Sequence, residues 1–289
     1  EGAIIAAGGS VFGVGSDVGG SIRIPAAFCG IVGHKPTHRT VPSTGHYPAA
    51  IGGSVAPFTM GPMTRTVADV YPLLSIMMGP DGQDPLCLEQ PLIDPSTVNL
   101  ANLRVYPVDS IGRTRISDEF RQTIRGAARG LERRGATIHT LDNPKLRYGF
   151  DMWAAMMKEF GPKYAEIVGE DGHVNLAREL SRYPRGRSAH TGPVLLMMLL
   201  ERLLDSFSGQ LQQRLSMIHE LQRELEEELG ENGVILYPPF SRPAPRHRAF
   251  VLRFFDAACT ALFNVLEFPV TQLPMGVGSR RLPLGVQIA

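Results

Sequence analysis

The sequence predicts an α/β protein: a mixed β-sheet core surrounded by α-helices, with a helical insertion. Three observations carry this expectation. Residues 103–106, 117–134 and 137–141 read as strand, helix, strand, the building unit of α/β architecture. Short β-rich runs at 234–237, 270–273 and 284–288 lie outside that unit and call for a common sheet. From residue 148 to 229 the pattern is almost entirely helical. A single domain over residues 1–289 is expected, with a mainly helical segment at about 148–230.

Taken in order, residues 1–7 are small and apolar behind a charged first residue and read as a short helix ended by Gly8, Gly9 and Ser10. Residues 11–14 suit a short strand. Pro25 near the start and Gly30 at the stop mark one or two helical turns, after which residues 31–33 resume an extended path. Between 38 and 60, Pro42, Gly45, Pro48, Gly52, Gly53 and Pro57 leave room only for a loop region. Residues 61–70 read as opening a helix that ends near Met78, capped by Thr64 or Thr66, with Val67, Val70, Leu73 and Leu74 on one face. Residues 81–102 are rich in Asp and Pro and read as surface. In the 117–134 helix, Phe120, Ile124, Ala127, Ala128 and Leu131 share a face, and Gly135 ends it. The last helix of the long helical stretch carries Phe207, Leu211, Leu215, Ile218, Leu221, Leu225 and Leu229 at three- and four-residue steps, with Gly230 as its stop. Residues 254–267 are expected to be helical.

Composition excludes several classes. Lys and Arg total 29 against 28 Asp and Glu, so the net charge of +1 gives no field to attract nucleic acid. Cys29, Cys87 and Cys259 form no Cys-x-x-Cys pair and are expected to be buried, reduced thiols of a cytoplasmic protein. The longest apolar run, 194–200, is far short of the ~20 residues needed to span a bilayer. With Met197 and Met198 in it, that run leaves both core burial and an acyl-chain or membrane-facing surface open. Glu1 in place of a Met, and a strand-like run reaching almost to Ala289, read as cut ends of a longer protein.

Residues suited to chemistry crowd into Gly13-Val14-Gly15-Ser16-Asp17-Val18-Gly19-Gly20-Ser21-Ile22-Arg23-Ile24-Pro25. The spacing misses the dinucleotide fingerprint, and neither a Walker loop nor a Gly-x-Ser-x-Gly elbow is present. Gly19 and Gly20 lack a Cβ, which lets backbone N–H groups turn towards one point. Ser21 follows, just ahead of a helix N-terminus that favours developing negative charge. A hydroxyl beside such donors suits acyl transfer, which needs a nucleophile and an oxyanion hole. A plain glycine-rich turn is the alternative. His34, His38 and His46 share one loop region, but without an acid partner they read as solvent-facing or structural; no metal and no cofactor are expected.

The run Gly15-Ser16-Asp17-Val18-Gly19-Gly20-Ser21-Ile22-Arg23-Ile24-Pro25-Ala26, continued by Phe28-Cys29-Gly30-Ile31-Val32-Gly33-His34-Lys35-Pro36-Thr37, resembles the core of the amidase signature family. Similar family segments follow in the same order at 61–69, 269–271 and 282–288. The loop at 41–48 and Leu236-Tyr237-Pro238 look closest to the fatty-acid amide hydrolase 2 type. The resemblance implies an amidase that passes through a serine acyl-enzyme and uses a Ser-cisSer-Lys triad. Ser21 matches the nucleophile; the N–H groups of Val18, Gly19, Gly20 and Ser21 match the oxyanion hole; Ser16, Asp17 and Arg23 match residues that support the loop. The bridging serine and the lysine of the triad match no residue of 1–289, and Lys35 belongs to a structural Lys-Pro-Thr element. Residues 1–289 alone are therefore expected to be inactive.

The implied partner is a small-molecule amide, such as a fatty-acyl or aryl amide, chosen by the 148–230 segment and the 38–60 loop; a peripheral membrane contact and a homodimer stay open. Two other readings are kept. The amidase component of a glutamyl-tRNA amidotransferase shares the motif, but Gln usually follows its Arg where Ile24 stands here. A non-catalytic, amidase-like binding protein is the third.

Overall fold

The structure, a computed structural model, describes residues 1–46, 58–111, 114–160, 174–205, 210–247, 249 and 256–289. Eight strands form one open mixed sheet: β1 (Phe12–Asp17), β2 (Val32–Lys35), β3 (Thr59–Thr64), β4 (Arg104–Pro107), β5 (Thr137–Ile138), β6 (Gly233–Tyr237), β7 (Val270–Val277) and β8 (Pro283–Ile288), in the order β1-β3-β2-β7-β8-β6-β4-β5. β4 runs parallel to β5 and β6, and the other neighbours are antiparallel. The parallel part contains the strand–helix–strand unit read from the sequence. Its helix lies at Asp118–Glu132, where Phe120, Ile124 and Ala128, four residues apart, are buried.

In chain order the α-helices are α1 (Gly2–Ala6), α2 (Arg23–Cys29), α3 (Val70–Met77), α4 (Asp118–Glu132), α5 (Gly149–Phe160), α6 (Leu176–Arg182), α7 (Gly192–Asp205), α8 (Leu211–Leu229) and α9 (Ala258–Val265). The helical stretch does not stand apart from the sheet. Met152 of α5 and Ile218, Leu221 and Leu225 of α8 join Tyr106, Ile235 and Leu262 in the largest apolar core, each large aliphatic group adding about 1.5–3 kcal/mol by leaving water. Among the described residues, Leu176 of α6 and Leu195 and Met198 of α7 form a separate small core.

Some sequence expectations are corrected. Residues 61–64 belong to β3 rather than to a helix, because β3 fills the gap between β1 and β2 and tertiary pairing outweighs local pattern. The helix starts at Val70 behind a 3₁₀ turn, Val67–Asp69; Thr64 and Thr66 do not cap it, their hydroxyls donating to the Thr66 carbonyl and to Asp69, and Val67 is exposed. The strand expected at 137–141 is cut to Thr137–Ile138, an exposed sheet edge. β1 is longer than expected and reaches Asp17. Cys87 and Cys259 are buried thiols, whereas Cys29 is only partly buried. Among the described residues no helix is long and apolar enough to cross a membrane. The expectations for Tyr47, Pro48, Gly52, Gly53, Pro57, Phe207 and Phe254 lie outside the described residues.

Candidate active site

β1 ends by carrying Asp17 into the interior, α2 begins at Arg23, and residues 18–22 bridge the two. Asp17 and Arg23 are both fully buried and meet through two contacts: Arg23 Nε donates to Oδ2 and Nη2 to Oδ1, each at 3.0 Å. A buried ion pair is tolerable only when its remaining hydrogen-bonding capacity is filled. Here Asp17 Oδ1 also accepts from the Gly20 N–H at 2.6 Å and from Asn264 Nδ2 at 2.9 Å, and Oδ2 accepts from the Ile22 N–H at 3.1 Å. Arg23 Nη1 donates to the Thr260 carbonyl at 3.0 Å and to Gln287 Oε1 at 2.8 Å, while Nη2 reaches Asn264 Oδ1 at 2.5 Å. Burial pushes the Asp17 carboxyl up, but the Arg23 charge and the hydrogen bonds from Arg23 and Asn264 overcome it and hold the group at about 2. The loop is thus folded around one carboxylate that stays ionised down to about pH 2.

Two side chains from other helices grip the glycines. Trp153 of α5 donates its indole N–H to the Val18 carbonyl at 2.7 Å, and Thr260 of α9 donates its hydroxyl to the Gly19 carbonyl at 2.6 Å. A Cβ on Gly19 would stand 3.2 Å from the indole nitrogen, and one on Gly20 would stand 2.2 Å from Thr260 Oγ1. Gly20 also has φ +126°, which side-chain-bearing residues rarely adopt. Ser21 is exposed at the rim of an apolar pocket of about 390 Å³ walled by Val18, Ile24, Pro25, Trp153, Met197 and Ala261. The N–H groups of Val18, Gly19 and Ser21 donate to no acceptor among the described residues, whereas that of Gly20 is taken by Asp17. An exposed hydroxyl, uncommitted backbone donors and an apolar recess are therefore adjacent, an arrangement suited to attack on a carbonyl carbon bearing an apolar group.

Of the loop-support residues expected from the sequence, Asp17 and Arg23 are brought together and Ser16 is not. Strand alternation turns Ser16 to the other face of the sheet, where its hydroxyl is 3.1 Å from His46 Nε2, and the His46 ring packs edge-on against Phe58. Lys35 is fully buried with its ammonium on the Pro36 carbonyl and takes no part in lining the pocket; burial and the Arg23 charge bring it down to about 7. His34 bonds Thr271, and among the described residues no three His, Cys, Asp or Glu groups gather as metal ligands. Asn264, Gln287, Thr260 and Trp153 were not found from the sequence. Trp153 is the single Trp of the chain, and Asn264 and Thr260 are polar residues on a largely apolar helix, but neither feature says what these side chains touch.

The family comparison matches the whole chain, residues 1–289, to the model described as Amidase. This chain belongs to the amidase family. Among curated relatives it is 36% identical over 301 residues to human fatty-acid amide hydrolase 2, covering 100% of this chain and 55% of that protein. It is 29% identical over 305 residues to a glutamyl-tRNA(Gln) amidotransferase subunit of Oleidesulfovibrio alaskensis, covering 99% of this chain and 62% of that protein. The amidase chain thus spans a little over half the length of these relatives. A solved structure of the corresponding glutamyl-tRNA(Gln) amidotransferase subunit from Thermotoga maritima superposes with a TM-score of 0.75 at 24% identity, covering 99% of this chain and 60% of that one, which shows a shared fold.

Proposed function

We propose that the protein hydrolyses carboxylic amides with an apolar acyl or aryl group, with Ser21 as nucleophile. The observation that carries the proposal is the exposed Ser21 hydroxyl beside uncommitted backbone N–H groups at the mouth of the apolar pocket. Ser21 Oγ bonds to the amide carbon and gives up its proton to a base; the carbonyl oxygen becomes an oxyanion held by loop N–H groups. The C–N bond then breaks, the amine leaves with a proton, and water cleaves the ester to release the acid and restore the hydroxyl. Val18, Gly19 and Ser21 supply the uncommitted donors, and Gly20 joins them only if its N–H leaves Asp17. Among the described residues that line the pocket there is no side-chain carboxylate, imidazole or amine. This supports a base relayed from elsewhere, in keeping with the Ser-cisSer-Lys chemistry of the resemblance.

Ile24 supports a hydrolase over an amidotransferase component, since it gives the pocket an apolar wall directly after Arg23. The higher identity to a fatty-acid amide hydrolase than to the amidotransferase relative points the same way. The test is hydrolysis of an acyl-amide series by the full gene product: the proposal expects turnover that vanishes in Ser21→Ala. Turnover that survives the substitution would overturn it.

A further inference from the structure

The loop that presents Ser21 is held by a side chain that also walls the pocket. Trp153 Nε1 donates to the Val18 carbonyl at 2.7 Å, and the same indole lies against Gly19 and lines the recess with Met197. A trans peptide is planar, with its C=O and N–H pointing in opposite directions. Fixing the Val18 carbonyl therefore fixes the next N–H, that of Gly19, which donates to no acceptor among the described residues. The following plane is fixed in the same way. Thr260 holds the Gly19 carbonyl at 2.6 Å, and the Gly20 N–H on its far side meets Asp17 Oδ1 at 2.6 Å. Of the two planes, only the first has its N–H uncommitted.

We propose that Trp153 is a positioning residue that aims the Gly19 N–H at the developing oxyanion while forming a wall of the pocket that receives the acyl group. The inference rests on the reading of Ser21 as nucleophile. The indole holds the Val18 carbonyl and also packs against the Phe150 ring, centroids 5.7 Å apart, so an acyl group entering the recess meets a donor already aimed. Loss of this aim is expressed in kcat, because an oxyanion donor acts on the transition state and not on the bound substrate.

The test uses the full gene product and Trp153→Phe, which keeps an aromatic wall and removes the N–H donor. The expected results are a kcat lower by about 10- to 100-fold on a long-chain acyl amide, with KM changed less than about threefold. The kcat loss on acetamide should be of similar size, and hydrogen exchange in the peptide containing Gly19 and Gly20 should speed up. A melting temperature close to wild type sets these apart from general unfolding. Unchanged kcat, or a loss carried wholly by KM, would overturn the proposal. Should the wild-type protein show no Ser21-dependent hydrolysis, the functional reading falls first; unchanged exchange in Trp153→Phe would then also remove the clamp.

Discussion

Arg23 Nη2 and Nε lie 3.0 Å from the two carboxylate oxygens of Asp17, and neither residue has any exposed surface. The pair joins the end of β1 to the start of α2 and brings in Asn264 of α9 and Gln287 of β8, so the loop bearing Ser21 is anchored to distant parts of the chain. Removing one partner strands the other charge in the interior. Arg23→Met or Asp17→Asn is expected to lower the unfolding free energy by about 3–5 kcal/mol, read by denaturant titration. A loss below about 1 kcal/mol would show that the pair does not organise the loop.

The same carboxylate sets an acid limit. Folding lowers the Asp17 pKa from 3.8 to about 2, so its stabilising contribution is present above pH 4 and is lost as pH falls through about 2. The wild-type protein should lose roughly 2 kcal/mol of stability from this source between pH 4 and pH 2. Asp17→Asn should lack this component, which unfolding titrations at several pH values will read.

Lys35 acts on stability at the other end of the pH scale. Its pKa falls from 10.5 in the unfolded chain to about 7 when folded, so between those values the unfolded state binds more protons. Stability should therefore rise from pH 7 towards pH 10. Lys35→Met should flatten that rise and be more stable than wild type near neutrality, because no ammonium then has to be buried. A wild-type profile flat over this range would contradict the buried-lysine assignment.

Gly20→Ala places a methyl group 2.2 Å from Thr260 Oγ1 at φ +126°. It is expected to cost at least about 1–3 kcal/mol from the backbone alone. Thr260→Ala in the same protein removes the clashing Oγ1 and should still not restore stability, because the strained φ remains. Full rescue would show that the clash, not the backbone, dominates.

Parts of this site are legible in the sequence because they are local. Glycines, the acid, the base and Ser21 lie within thirteen consecutive positions, 13–25, and Pro25 and Gly30 mark the helix that begins at their end. The α4 face and the α8 stripe are legible for a similar reason, since 3.6-residue periodicity is written along the chain. What stays hidden is long-range. Asn264 lies 247 positions from Asp17, Gln287 lies 264 positions from Arg23, and Trp153 lies 135 positions from Val18. The Gly-Pro sequence of β3 resembles a helix start, and only the need of β1 and β2 for a common neighbour makes it a strand. Adjacency groups Ser16 with Asp17, although alternation along β1 sends them to opposite faces.

The claim that Ser21 is the nucleophile is tested most directly by treating the full gene product with a fluorophosphonate and locating the adduct by peptide mass spectrometry. The account predicts a single adduct on Ser21, absent from a Ser21→Ala protein whose melting temperature is unchanged because the side chain is exposed. An adduct on another serine, or labelling undiminished in Ser21→Ala, would contradict it.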